Sequence, residues 1–97
     1  MKQENQYSIL NPGQRERLIE IIEGYVEDYG LGQVAGFIKS ASIPMPLARN
    51  YISNLIEGDV RTMMALNKSS AGYLCECLAV NPAYVFDGKK PVYTSLH

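Results

Sequence analysis

Residues 74–88, in the last third of the chain, constrain the fold most, because they hold the end of one helix and the start of another. Leu74 and Leu78 lie four residues apart, a spacing typical of the apolar side of a helix. Asn81 can cap a second helix, and Pro82 fits its first position, where no backbone N–H is needed. The segment therefore predicts two short helices that meet at a sharp corner.

A longer helix is predicted from Asn11 to Tyr29. Asn11 and Pro12 suit its start, and Gln14 has the spacing of a capping box. Gly30 can supply a left-handed stop. Residues 1–10 are expected to form a flexible arm. The apolar residues of this helix recur at helical spacing and predict one buried stripe: Leu18, Ile21, Ile22, Tyr25, Val26 and Tyr29.

Two further helices are predicted on either side of a proline-containing turn. The first runs from Gly32 or Gln33 to Ala41, and the second from Pro46 to Glu57 with Gly58 as its stop. Two prolines within residues 44–46 cannot continue a helix, although Pro46 can begin one. The result is helix, turn, helix. We expect four residues of the first of these helices to point inward: Val34, Phe37, Ile38 and Ala41.

The helix from Pro46 to Glu57 has two different faces. One is apolar (Ala48, Tyr51, Ile52 and Leu55), and another is polar (Asn50, Ser53, Asn54 and Glu57, with Arg49 beside it). Asparagine can pair bidentately with adenine, arginine with guanine, and serine with a phosphate or a base. A polar face is also what any solvated helix has. Its wealth of Asn and Ser, which are weak helix formers, favours a contact surface over an ordinary Glu- and Lys-rich one.

Several segments resemble the phage-repressor (Xre-type) helix-turn-helix family. Residues 74–88 resemble its closing segment, in which a Leu-x-x-x-Leu-x-Val helix runs into Ser/Asn-Pro-x-Tyr. The run from Leu31 to Ala35 resembles the start of its second helix, and Asn50 to Gly58 resembles its recognition helix. Ala65-Leu66-Asn67 through Val80 resembles the fourth and fifth helices of lambdoid repressors. The resemblance covers residues 11–88 and implies an all-α bundle of about five helices that binds DNA.

The resemblance also implies which side chains meet DNA. Gln33 would touch a phosphate and brace the recognition helix, and the polar face of that helix would reach base edges or the flanking backbone. The expected DNA-binding residues are Gln33, Lys39, Arg49, Asn50, Ser53, Asn54, Arg61, Asn67 and Lys68. The chain departs from the family by about four extra residues before Tyr51 and four more after Gly58, and by Gly32 in place of a Ser/Thr cap. The recognition helix is therefore either a turn longer or has a rebuilt entry.

The distribution of charge is more informative than its sum. The net charge is −1, whereas nucleic-acid-binding domains are often strongly basic. Residues 1–29 carry three basic and six acidic side chains, and residues 30–97 carry six basic and four acidic ones. The acidic charge is held mostly by the first helix, and the region expected to face DNA is basic.

Other classes of function have little support. The single histidine, His97, is the last residue, so neither a catalytic triad nor a His-based zinc site is expected. Cys75 and Cys77 point to different sides of a helix and cannot pair there. No run approaches the roughly 20 apolar residues of a membrane span. We expect no enzymatic activity, no cofactor and no metal, and a cytoplasmic protein associated with the nucleoid through DNA.

The tail, residues 89–97, contains an alternating stretch from Val92 to Leu96 that predicts a short strand. We expect it to contribute to a homodimer, and the alternative is a tail that packs on nothing. The sequence thus predicts a phage- or prophage-type transcriptional regulator, a repressor or Cro-like protein, binding operator DNA as a dimer. The alternative is a protein-binding adaptor, such as an antirepressor or antitoxin component, that uses its acidic first helix.

Overall fold

The computed structural model describes residues 9–40 and 43–94, and this part of the chain confirms the all-α class. One more helix is present than the five expected. The helices are α1 (Pro12–Tyr29), α2 (Leu31–Ile38), α3 (Met45–Glu57), α4 (Val60–Ala65), α5 (Lys68–Cys77) and α6 (Pro82–Asp87).

The start of α1 follows the predicted capping box. The backbone N–H of Gln14 donates to Oδ1 of Asn11 over 2.8 Å, and the N–H of Asn11 donates to Oε1 of Gln14 over 2.9 Å. The Gln14 amide also donates to the carbonyl of Phe86 over 3.1 Å. The cap therefore joins the first helix to the last one.

A single residue, Gly30, separates α1 from α2. It ends α1 as predicted, but the predicted left-handed conformation is wrong, because φ is +92° and ψ is 151°. Its N–H donates to Val26 and its carbonyl accepts from Val34, so one residue belongs to both helices. Gly32 consequently lies inside α2, and the expectation that it replaces a cap is wrong. The predicted helix also extends too far at its C-terminus, because it was expected to end at Ala41 and α2 ends at Ile38.

Most of the stretch from residue 45 to residue 65 is helical. Helix α3 has 13 residues and begins at Met45, one residue before the predicted start, and Gly58 closes it in the left-handed region. The residues that follow Gly58 form α4, whose N-terminus is capped by Asp59. Hydrogen bonds from the backbone N–H and hydroxyl of Thr62 hold the pKa of Asp59 below its ordinary value.

The core is apolar and receives side chains from five of the six helices. The predicted stripe of α1 is buried at Leu18, Ile21 and Ile22, but it opens toward the end of the helix, where Tyr29 is 52% exposed. Phe37 was expected to point inward and is instead 38% exposed. It packs edge-on against Tyr25 and Tyr29, outside the core. Ala41 lies outside the described residues.

Polar side chains hold the helices at fixed positions by reaching backbone carbonyls of other elements. Arg17 of α1 donates to Val85 over 3.0 Å, and Tyr25 donates to Leu78 over 2.7 Å. Tyr73 of α5 donates to Ile38 at the end of α2 over 2.9 Å. These bonds tie α1 to the α5–α6 corner and fix the position of α2.

The tail returns to the corner between α5 and α6. Val80 and Tyr93 form an isolated antiparallel bridge, the N–H of Asn81 donates to Val92 over 2.7 Å, and that of Thr94 donates to Ala79 over 3.0 Å. The predicted strand is therefore reduced to one bridge within the chain. Residues 95–97, which include Leu96, lie outside the described residues.

Candidate nucleic-acid interface

The polar face of α3 is oriented by the burial of the opposite side of the helix. Ala48, Ile52 and Leu55 are fully buried in the core cluster that also contains Val34 and Ile38 of α2. Because these positions recur at helical spacing, residues about half a turn away must point outward. Packing against α2 thus determines which side chains α3 presents.

Arg49 and Asn50 are both exposed on this outward side. Together with Ser53 they line a shallow groove of about 490 Å³ between α3 and the start of α2, where Leu31 forms the other wall. Three of the predicted side chains are thus brought together by the fold. The groove offers a guanidinium, an amide and a hydroxyl within two helical turns.

The C-terminal half of the polar face differs from its N-terminal half. Ser53 donates a hydrogen bond of 3.4 Å to a carboxylate oxygen of the exposed Glu57, and Asn54 is half-buried. A carboxylate repels phosphate, so the acidic end of the face suits a polyanion less well than the end with Arg49. The chemistry of α3 favours contact through its first two turns.

Gln33 and Lys39 lie at the two ends of α2. Gln33 is exposed in the first turn, on the end that borders the groove. Lys39 is exposed at the C-cap, and its N–H donates to Ala35. Gln33 thus lies at the end of α2 whose Leu31 lines the groove, without lining it itself, and Lys39 lies at the far end of the helix.

The remaining predicted residues are spread over α4 and the start of α5. Arg61 is exposed on α4, and Lys68 is half-buried at the first position of α5. Asn67 has a structural role, because its Oδ1 accepts from the N–H of Ser70 over 2.8 Å and the Ser70 hydroxyl accepts from the N–H of Asn67 over 3.0 Å. This capping box was not predicted, although the spacing Asn-x-x-Ser was visible in the sequence.

Apolar residues at the start of α3 were not included among the predicted contacts. Met45 is 36% exposed, and a Cβ built on Gly36 of α2 would lie 3.6 Å from its terminal methyl. Leu47 is 57% exposed, on the strip of α3 that also carries Asn50 and Asn54. Its offset of three residues from Asn50 was the signal that could have drawn attention to it.

A second groove, of about 510 Å³, separates α1 from the end of α3. Glu20, Glu23 and Glu27 line it, with Val26 and Ile56 as its apolar part. The acidic helix predicted from the sequence thus presents its carboxylates beside half-buried apolar side chains.

The other reactive groups lie apart from both grooves. Within residues 9–40 and 43–94, no cluster of His, Cys, Asp and Glu could hold a metal ion. Cys75 is buried and Cys77 half-buried, and both are free thiols. Burial raises the pKa of Cys75 to about 11, which keeps this thiol protonated and unreactive near neutral pH.

Comparison with protein-family models, curated proteins and solved structures gives no significant match to this chain. The resemblance to the phage-repressor family therefore rests on the motifs alone. In the described part of the chain, none of the helices has the length and apolar character needed to cross a bilayer.

Proposed function

We propose that this protein binds double-stranded DNA sequence-specifically, as a homodimeric transcriptional regulator, with α3 in the major groove. The observation that carries the proposal is the cluster of the exposed Arg49 and Asn50 with the half-buried Ser53, outside the buried face of α3. A major groove about 12 Å wide admits one α-helix. These side chains are forked or short donors that can read base edges there.

The arrangement of the helices supports the same proposal. In helix-turn-helix domains the recognition helix contacts bases through its N-terminal residues, while the preceding helix crosses the backbone. Here Arg49 and Asn50 lie in the first half of α3, and Gln33 lies at the adjoining end of α2. In this arrangement we expect Gln33 to contact a phosphate and Glu57 to lie at the rim of the major groove.

The low positive charge of one subunit favours a dimer. One subunit offers few exposed cations near α3, and the chain as a whole has a net charge of −1. A two-fold dimer doubles the phosphate contacts and reads two half-sites about one helical turn apart. If Lys39, Arg49 and Arg61 of both subunits neutralise phosphates, log Kd should change with log salt with a slope of magnitude about 5.

Selection of duplexes from a random pool, followed by titration across salt concentrations, tests the proposal. We expect a palindromic sequence to be enriched and its affinity to fall steeply with salt. Asn50→Ala should lose about 1–3 kcal/mol of discrimination at one base pair of each half-site. Failure to enrich any sequence, or an affinity that does not change with salt, would contradict the proposal.

A matched pair of variants separates contact from overall charge. Arg49→Ala and Lys90→Ala each remove one exposed positive charge, but Lys90 lies on the tail, outside α2 to α5. We expect Arg49→Ala to weaken DNA binding much more than Lys90→Ala does. Equal losses would mean that α3 is not the contact surface.

A second candidate function is favoured by the acidic groove between α1 and α3. Three carboxylates beside Val26 and Ile56 suit a basic, partly apolar protein segment, as in an antirepressor or antitoxin partner. For this function, Glu23→Lys should abolish partner binding, because it reverses one charge of the acidic groove. If the protein has no affinity for DNA, and if Glu23→Lys abolishes its binding to a basic peptide, the adaptor function is correct and the regulator function is wrong.

A further inference from the structure

We infer that Leu47 reads a thymine through its C5-methyl group, next to the base contacted by Asn50. The inference rests on the proposed DNA-binding function and specifies what α3 recognises: a half-site with an A·T pair at the position that faces the first turn of α3. It follows from the place of an exposed apolar side chain on the strip of α3 that also carries Asn50 and Asn54.

The exposure of Leu47 is not explained by packing. Leu47 is 57% exposed, although it belongs to the same helical turn as the fully buried Ala48. Met45, two residues earlier, is less exposed (36%), and its terminal methyl lies near Gly36 of α2. Exposed leucines are common on protein surfaces, so exposure alone assigns no role. The position of Leu47 on α3 is what indicates a role.

That position is on the recognition surface. Leu47, Asn50 and Asn54 fall at offsets 0, 3 and 7 along α3, which places them on one strip of the helix. Side chains of a helix lean toward its N-terminus, so Leu47 extends the strip beyond the start of the helix. When Asn50 reaches a base edge, Leu47 lies over a neighbouring base pair of the same groove.

The chemistry of the major groove then identifies the target. Thymine presents a C5-methyl group there, and apolar side chains are its usual partners, whereas a cytosine at the same place presents an amino group that leucine cannot satisfy. The cation and the amide beside Leu47 match phosphate, guanine or adenine. Leucine adds discrimination for thymine that no polar neighbour on α3 provides.

Replacing thymine by deoxyuridine tests this directly, because it removes the methyl group and keeps the base pairing. In the selected duplex, we expect one thymine per half-site whose replacement weakens the wild-type protein about three- to fivefold, as for burial of one methyl group. Leu47→Ala should lose a similar factor and then become insensitive to uracil at that position. Leu47→Met, which keeps an apolar side chain, should remain sensitive.

Val60→Ala is the matched control, since Val60 is an exposed apolar residue (70%) on α4, outside the strip. It should leave the response to uracil unchanged. If the duplex is bound but no thymine responds to the replacement, or if Leu47→Ala responds as the wild type does, the inference about Leu47 is wrong and the proposed function stands. If no duplex is selected, both fail.

Discussion

Gly30 is a residue whose backbone conformation determines how two helices are joined. Its φ of +92° and ψ of 151° fall close to a region that only glycine occupies at low cost. A Cβ built there would meet no atom within 4 Å, so the requirement comes from the backbone and not from crowding. One residue in this conformation turns α1 directly into α2 and so sets the orientation of the helix pair.

We expect Gly30→Ala to lower the free energy of unfolding by about 1–3 kcal/mol, the cost of holding a residue with a Cβ in that conformation. Gly58→Asn is the matched control. Gly58 has φ +75° and ψ 31°, the left-handed region that asparagine tolerates, so its loss should stay under about 1 kcal/mol. Urea denaturation measures both, and equal losses would show that Gly30 is an ordinary helix stop.

Sequence signals that act within one helical turn predicted most of the helix boundaries. The remaining features of the helices depend on contacts between residues far apart in the sequence. Asn11, Asn81 and Gly58 are boundary signals that act within one turn, and each lies where the sequence placed it. Helix α4 was not predicted as a separate element: it has only six residues and none of them is buried, although Val60, Met63 and Met64 recur at helical spacing. Phe37 was misplaced for a related reason: periodicity shows which side of a helix is apolar, but not where the core ends.

The candidate site divides in the same way. The polar face of α3 follows from spacing alone, whereas the grouping of Arg49 and Asn50 with Leu31 across a groove depends on how α2 packs. Asn67 was predicted from a family motif to lie near phosphates, and its local role as a helix cap was overlooked. The two roles have different consequences and can be separated.

Two substitutions of Asn67 make that separation. Asn67→Ala removes the cap of α5 and should cost about 1 kcal/mol of stability, whereas Asn67→Asp keeps a good cap and should be nearly neutral. If Asn67 also lies near a phosphate, Asn67→Asp should weaken DNA binding by charge repulsion while the fold stays intact. Thermal unfolding together with DNA titration measures both effects, and unchanged DNA affinity in Asn67→Asp would restrict the residue to its structural role.

At the scale of the whole molecule, the two ends of the described chain are held to the bundle by different means. Ile9 bridges to Asn67, and the N–H of Leu10 donates to Leu66 over 3.3 Å. The tail is held by backbone bonds to the α5–α6 corner and by Tyr93, whose ring meets that of Tyr25 edge-on at 6.2 Å. Tyr25 stacks in turn on Tyr29 at 5.8 Å. The aromatic cluster thus joins the tail, α1 and α2 beside the apolar core.

In this arrangement the tail packs on its own subunit up to Thr94. The substitution Tyr93→Ala tests this packing. We expect a loss of about 1–2 kcal/mol in the free energy of unfolding, from the aromatic contact and the partial burial of the ring. Tyr93→Phe keeps the ring and should be close to wild type. Because an intramolecular contact does not depend on mass action, the loss should be the same at low and at high protein concentration. A loss that grows with concentration would instead place Tyr93 between subunits, as the sequence-based expectation of a dimerising tail requires.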